Sequence, residues 1–306
     1  MGNTMFENEY LPVIVIGAAR SGTKLIRDTI ARHPDVCKIP YDINYIWRYG
    51  CEKLPHDEIP PNPLTEKSAS KIRLYFDHSR NGKQILVEKT VSNCLRIPFV
   101  QKVFPQSKFI QLIRDGWDVV ESSYRQWIAP PDWRYILQKV RAYPVLDAFG
   151  YATGYGQNLL RKLVFPCNGT TSSWGPRYAG IDDDIRSKEL IEVCAIQWAY
   201  CASKAFRDLA TLPMTSVYTV RYEEFVHHPS AILSEIADFL GIESNPYLSN
   251  KQMDISTRNI GKGRRGLSPE QCCQIQGYIE QTEDLVNKGF SSANKVVSQD
   301  ALISTN

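Results

Sequence analysis

The chain has 306 residues, of which 43% are hydrophobic, 23% charged and 11% aromatic, enough for one large core and unlike a disordered, collagen-like or fibrous protein. A net charge of +3 is too mild for a nucleic-acid binder and fits a small anionic ligand held by a few placed cations. No run approaches the ~20 apolar residues of a membrane span, and the polar, acidic residues 1–10 are unlike a signal peptide. The eight cysteines show no CxxC pair and no zinc-like spacing, so they read as reduced thiols of a cytoplasmic protein.

Residues 12–16 are apolar without alternation, the pattern of a strand buried on both faces of a parallel sheet. They stop at Gly17. A turn of small residues leads into a helix over 22–32, with Leu25, Ile26, Thr29 and Ile30 on one face, and Pro34 ends it. Residues 36–39 form a short strand, and 40–49 mix aromatic and polar side chains. The proline-rich stretch 51–65 is loop, 68–78 a helix, and 84–87 a strand ending at Glu88-Lys89-Thr90. A helix carrying Leu95, Phe99, Val103 and Phe104 follows. The strand over 108–113 ends at Arg114-Asp115, with Asp115 placed to cap a helix running to Trp127.

Residues 128–186, with Pro130-Pro131 and two weak helical patterns, read as an aromatic-rich insertion. A long helix spans 187–210, with Leu190, Cys194, Trp198, Cys201, Ala205 and Leu209 on one face. A strand over 215–221 precedes a helix over 229–240, which has Pro229 in its first turn and Gly241 as its stop. A basic loop over 249–267, a last helix opening at Ser268-Pro269-Glu270 and a tail fraying from Ser291 complete the chain. The alternation predicts a single α/β domain over 1–306, a three-layer P-loop-like fold with a mainly parallel sheet flanked by helices. Its core covers about 12–127 and 187–285, and the 128–186 insertion lines an acceptor pocket or forms a lid. Ligands of such sheets sit at the carboxyl ends of the strands. Arg20, Lys89, Arg114 and Arg221 all follow strand ends, so all can face one crevice.

Gly17-x4-Gly22 has the glycine spacing of the nucleotide-binding P-loop, but Thr23 precedes Lys24, whereas ATP and GTP loops need lysine and then Ser/Thr. A second cation, Arg20, stands inside the turn. A glycine turn that merely closes a βα unit is the plain alternative. The dense set Arg20-Ser21-Gly22-Thr23-Lys24 favours phosphate or sulfate bound on free N–H groups at a helix start. Arg114 ends a strand, and Ser122 lies two turns into the next helix on the face shared by 115, 118 and 119. The two can converge on one anion. Taken alone, an arginine capped by Asp115 or Asp118 beside a surface serine is the simpler explanation.

Together these motifs resemble the sulfotransferases that use 3′-phosphoadenosine 5′-phosphosulfate (PAPS). In that family an Arg/Lys-Ser-Gly-Thr loop after the first strand binds the 5′-phosphosulfate, which the resemblance carries to Arg20, Ser21, Gly22, Thr23 and Lys24. A strand-end arginine with a serine eight positions on binds the 3′-phosphate, which implies Arg114 and Ser122. Val220-Arg221-Tyr222-Glu223-Glu224-Phe225 resembles a later strand and turn whose aromatic lies near the adenine, here Tyr222. Asn259-Ile260-Gly261-Lys262-Gly263-Arg264 resembles a basic loop that closes over the cofactor, which implies Asn259, Gly261, Lys262 and Arg264. The likeness runs over about 12–127 and 187–285 and is nearer to the tyrosylprotein and bacterial members than to the cytosolic phenol enzymes.

The resemblance implies a PAPS-dependent sulfotransferase whose product is adenosine 3′,5′-bisphosphate, with a hydroxyl of a small molecule, or an amine, as acceptor. Arg20 would stabilise the leaving phosphate, and Lys89 would hold the sulfuryl oxygens without a metal. The histidine that follows Lys-Thr in the cytosolic branch is absent, since Lys89-Thr90 continues with Val91. After His33-Pro34-Asp35-Val36, where the tyrosylprotein branch has a glutamate, the nearest carboxylate is Asp42, the expected general base, with Glu88 second and His56 third. Aromatic neighbours Tyr41, Tyr45 and Trp47 would desolvate Asp42 and raise its pKa; capping of a helix over 44–49 is the competing role. Trp127, Trp133, Tyr135, Trp174 and Tyr178 are candidates for an acceptor wall, or for plain core. Two other classes stay open, an ATP-dependent small-molecule kinase and a non-catalytic nucleotide-binding protein. No nucleic-acid or membrane partner is expected.

Overall fold

Five strands, β1 (Leu11–Ile16), β2 (Val36–Lys38), β3 (Ile85–Glu88), β4 (Lys108–Ile113) and β5 (Val217–Arg221), pair in parallel in the order β2-β3-β1-β4-β5. They belong to a computed structural model that describes residues 10–129, 174–244 and 255–303, with side chains through residue 288. β1 is central because it is apolar on both faces, and Val13, Ile14, Val15 and Ile16 are all buried. Val13 and Val15 pack with Ile26 and Ile30 of α1 (Thr23–Ile30) and with Leu233 and Ile236 of a later helix, Pro229–Leu240. Ile14 and Ile16 pack on the opposite face with Phe99, Val119 and Trp198. Helices cover both faces, so the expected α/β, three-layer P-loop-like architecture is present.

The remaining helices among the described residues are α2 (Asn44–Trp47), α3 (Glu66–Ser79), α4 (Ile97–Val103), α5 (Gly116–Ile128), α6 (Ile181–Ser187), α7 (Leu190–Leu209), α8 (Tyr222–His227), α9 (Pro229–Leu240), α10 (Gly263–Gly266) and α11 (Pro269–Ile303). From β1 the chain runs to the β2 edge, returns through β3, then crosses to β4 on the other side of β1. The connections leaving β1 and β4 therefore diverge, which opens a crevice at their carboxyl ends. Neighbouring strands lie about 4.8 Å apart. The residues following β3, β1 and β4 thus stand side by side along one edge, and these are Lys89, the Gly17 turn and Arg114.

Several boundaries differ from expectation. The helix expected over 187–210 starts at Leu190, because Lys188 and Glu189 are extended and separate it from α6. The strand expected over 215–221 begins at Val217, after a 3-10 turn at Met214–Ser216. The basic loop over 249–267 contains the short α10. The last helix does not fray at Ser291 but continues to Ile303. No proline follows Pro269, and a nucleated helix propagates at low cost. Most of the 128–186 insertion, residues 130–173, lies outside the described residues, as do Trp133, Tyr135 and Cys167. The described cysteines are free thiols, with Cys94, Cys194 and Cys201 buried. No described helix is long and apolar enough to cross a membrane.

Candidate functional site

The turn after β1 is shaped by close approaches. A Cβ on Gly17 would sit 2.8 Å from the Leu112 carbonyl oxygen, and one on Gly22 would sit 2.5 Å from the Tyr222 ring. Gly22 also has φ +93°, so only glycine fits without strain. Arg20 adopts φ +71° although it carries a side chain, a conformation that costs about 1–2 kcal/mol. Its carbonyl oxygen is held by Arg114 Nη1 at 2.9 Å, and the Ser21 N–H bonds back to Ala18 at 3.2 Å. α1 starts at Thr23 with no acidic residue in its first turn, leaving its first N–H groups and the positive end of its dipole toward the loop. Ser21 and Thr23 are buried, whereas Arg20 and Lys24 are exposed.

Sequence-distant cations and a hydroxyl meet here. Arg20 Nε donates to Ser122 Oγ at 2.9 Å across 102 residues. Having accepted that bond, the Ser122 hydroxyl keeps its own proton to donate. Arg114 Nη2 donates to the Asn259 carbonyl at 2.7 Å, and the guanidinium stacks 4.4 Å from the centre of the Tyr222 ring. Arg114 Nε is buried without a partner among the described residues. Asp115 caps α5 by accepting from the Asp118 N–H at 2.9 Å. Asp118 faces Arg114 at 3.6 Å and takes the backbone N–H groups of Gly261 and Gly263 at 2.9 and 2.7 Å. Arg264 stacks on Trp117 at 4.4 Å, and Lys262 Nζ donates to Asn259 Oδ1 at 2.8 Å.

One strand over, Lys89 Nζ donates to Asp42 Oδ1 at 2.6 Å. Asp42 does not cap α2, whose N-cap is Ile43, and its side chain is partly exposed. Behind the pair, fully buried Glu88 accepts from Thr90 Oγ1 at 2.5 Å and from Asn93 Nδ2 at 2.9 Å. Thr90 Oγ1 in turn accepts the Ile43 N–H at 2.9 Å. Burial, reinforced by the charge of Asp42 and opposed by Thr90 and Arg96, pushes the Glu88 carboxyl from 4.5 up to about 7. The folded state therefore holds the proton more tightly than the unfolded chain. That contribution is complete below about pH 4.5 and is lost as pH rises through about 7, a loss of about 3 kcal/mol in all. Glu88→Gln is expected to flatten this fall, and urea midpoints between about pH 5 and 8 measure it.

Not every expected residue joins the cluster. Lys24 is exposed. Arg221 lies along the crevice wall and bonds Asn287 of α11. His56 lies in the loop before α3, where its carbonyl accepts from Arg48 at 2.5 Å. Tyr178 is core, stacked on Tyr200 at 5.1 Å with its hydroxyl on Asp184 at 2.5 Å. Sequence reasoning missed Asp118 as a loop anchor. It also missed a buried polar hub under the Lys89 strand end, where Asp57 accepts from Asn44, Arg48, Ser92 and the Arg177 N–H at 2.8–3.1 Å. Fully buried Arg96 joins the hub through Asn44 and Asn93.

A family model described as "Sulfotransferase family" matches residues 52–152, a span holding Lys89, Arg114 and Ser122. Protein-tyrosine sulfotransferase 1 of Danio rerio is 33% identical over 127 residues, covering 38% of this chain and 36% of that protein. A candidate protein-tyrosine sulfotransferase of Caenorhabditis briggsae is 26% identical over 176 residues, covering 54% and 57%. The chain thus spans about half or less of the curated relatives it matches. The sulfotransferase domain of the Synechococcus PCC 7002 olefin synthase superposes with a TM-score of 0.50 at 16% identity, covering 92% of this chain and 98% of that domain, which is a likeness of fold.

Proposed function

We propose that the chain is a sulfotransferase, a reading supported by the family match over residues 52–152 and by the two curated relatives, and that it moves a sulfuryl group from PAPS to a hydroxyl of a small-molecule acceptor, in line and without a metal. The observation that carries this reading is the cluster of Arg20, Ser122 and Arg114 at the β1–β4 crevice. The residues fit the cofactor. Arg114 keeps a buried Nε without a partner among the described residues, and the first turn of α1 carries no acidic residue that would repel a phosphate at its N–H groups. Arg20, Ser21, Gly22, Thr23 and Lys24 would hold the 5′ end, Arg114 and Ser122 the 3′-phosphate, Tyr222 the adenine region, and Asn259, Gly261, Lys262 and Arg264 the covering loop. When bound, PAPS supplies an activated sulfuryl group on a phosphate leaving group.

The chain's own groups then divide the work. Arg20 commits Nε to Ser122, and its Nη atoms are the donors proposed to neutralise the leaving phosphate. Lys89 provides the cation for the sulfuryl oxygens, and its partner Asp42 takes the acceptor's hydroxyl proton. Asp42→Asn is expected to lower kcat by about 10²–10⁴ with unchanged affinity for adenosine 3′,5′-bisphosphate. Full turnover by that variant would remove Asp42 from the mechanism.

A second acceptor class, the tyrosyl hydroxyl of a protein, is favoured by the two curated relatives. Turnover of PAPS on a panel of phenols, alcohols, amines and tyrosine peptides decides between them. Sulfation of peptides alone would overturn the small-molecule reading, and sulfation of small hydroxyl compounds alone would support it.

A further inference from the structure

The turn before α10 lies directly on the first turn of α5. A Cβ on Gly263 would sit 2.2 Å from the Trp117 carbonyl carbon and oxygen and 2.5 Å from the Asp118 nitrogen, so backbone meets backbone. Gly261, at φ +68°, bends the chain to reach that position. Besides the stacking of Arg264 on Trp117, a buried carboxylate joins the two segments. Asp118 is 1% exposed, and its two oxygens are divided between the Gly261 N–H at 2.9 Å and the Gly263 N–H at 2.7 Å. Arg114 closes the circuit. Its Nη2 reaches the Asn259 carbonyl in the same loop, its Nη1 reaches the Arg20 carbonyl in the phosphate turn, and its guanidinium lies 3.6 Å from Asp118.

Resting on the sulfotransferase reading, we propose that Asp118 is the positioning residue that docks the 259–264 loop beside Arg114 before any ligand arrives, and so builds the selectivity for a nucleotide bearing a 3′-phosphate. A carboxylate this close to an anion site is otherwise a liability. By charge alone Asp118 repels a phosphate and offsets part of the Arg114 charge. Its retention makes sense if the two hydrogen bonds it accepts are worth more to binding than the repulsion takes away. Charge-assisted bonds in a buried site are the strong kind, and an alanine at 118 would take the acceptor from the buried Gly263 N–H and from the part-buried Gly261 N–H.

The two effects have opposite signs, so the direction of one measurement separates them. Asp118→Asn and Asp118→Ala are compared with the unmodified protein by calorimetric titration of adenosine 3′,5′-bisphosphate and of adenosine 5′-monophosphate, which lacks the 3′ group. Docking by Asp118 predicts that bisphosphate affinity falls about tenfold or more, that monophosphate affinity holds, and that KM for PAPS rises while kcat changes little. Tighter bisphosphate binding by Asp118→Asn, or equal losses for both nucleotides, overturns the proposal. Amide hydrogen exchange on the unmodified protein needs no variant to fold. The Gly261 and Gly263 amides are expected to be protected without nucleotide, and protection that arises only on adding the bisphosphate overturns pre-docking. An unmodified protein that does not bind the bisphosphate overturns the functional reading and the selectivity role together, whereas a binding protein with indifferent variants overturns the role of Asp118 alone.

Discussion

Arg20→Ala is expected to lower kcat with PAPS by about 10²–10³ while leaving the thermal midpoint nearly unchanged. The split follows from where the side chain stands. Arg20 is exposed, so truncation removes little packing. Its backbone is held by Arg114 through the carbonyl, which survives the change. What disappears is the guanidinium at the mouth of the phosphate turn, together with its bond to Ser122. Arg20→Lys would recover charge but not the fork that reaches Ser122 and a phosphate at once, so partial rescue is expected. Turnover by the alanine variant within a few-fold of the unmodified protein would remove Arg20 from the reaction.

Asp57→Ala is expected to destabilise the fold by about 3–5 kcal/mol, a large share of the 5–15 kcal/mol that holds a typical domain. Asp57 is 3% exposed and satisfies four donors, including the Arg177 N–H across 120 residues. Burial pushes its carboxyl up. The Arg96 charge and the bonds from Arg177, Asn44 and Ser92 outweigh that, and the net effect holds it below the usual carboxylate range. A depressed pKa in the folded state means that this stability is present above the ordinary value near 3.8 and is lost as pH falls through the folded value. Urea unfolding at neutral pH gives the size of the loss. The unmodified protein should weaken as pH falls from about 4, and the alanine variant should show less of that dependence. A variant within about 1 kcal/mol of the unmodified protein would mean that the hub is not what ties the 174–178 segment to the sheet.

Much of the fold was legible because its signals are local. The unalternating, β-branched Val13-Ile14-Val15-Ile16 run has the pattern of a doubly buried strand, and Gly17, Gly22, Pro229 and Gly241 each mark a boundary found within two residues. Helix geometry lets Arg114 and Ser122 share a face, but their joint role toward an anion came from the family resemblance and not from the spacing. Asp118 was visible only as a neighbour four residues from Arg114, whereas its other partners lie 143 and 145 residues away. Asp42 was chosen by its place after His33-Pro34. Its ion pair with Lys89 spans 47 residues and depends on β2 and β3 being adjacent, which no local pattern announces. The Asp57 hub sits in a proline-rich loop that reads as solvent-exposed until the Arg177 segment closes over it. The length of α11 was underestimated because the small polar residues after Gly289 resemble an end, while nothing among them forces one.

The proposed two-anion site at the β1–β4 crevice is tested most directly by thermal stabilisation with adenosine 3′,5′-bisphosphate and, separately, with ATP and magnesium. A site built from Arg20, Arg114 and Ser122 predicts a rise in the midpoint with the bisphosphate that grows with its concentration and is lost in Arg114→Ala, with little response to magnesium–ATP. Stabilisation by magnesium–ATP without stabilisation by the bisphosphate would contradict it.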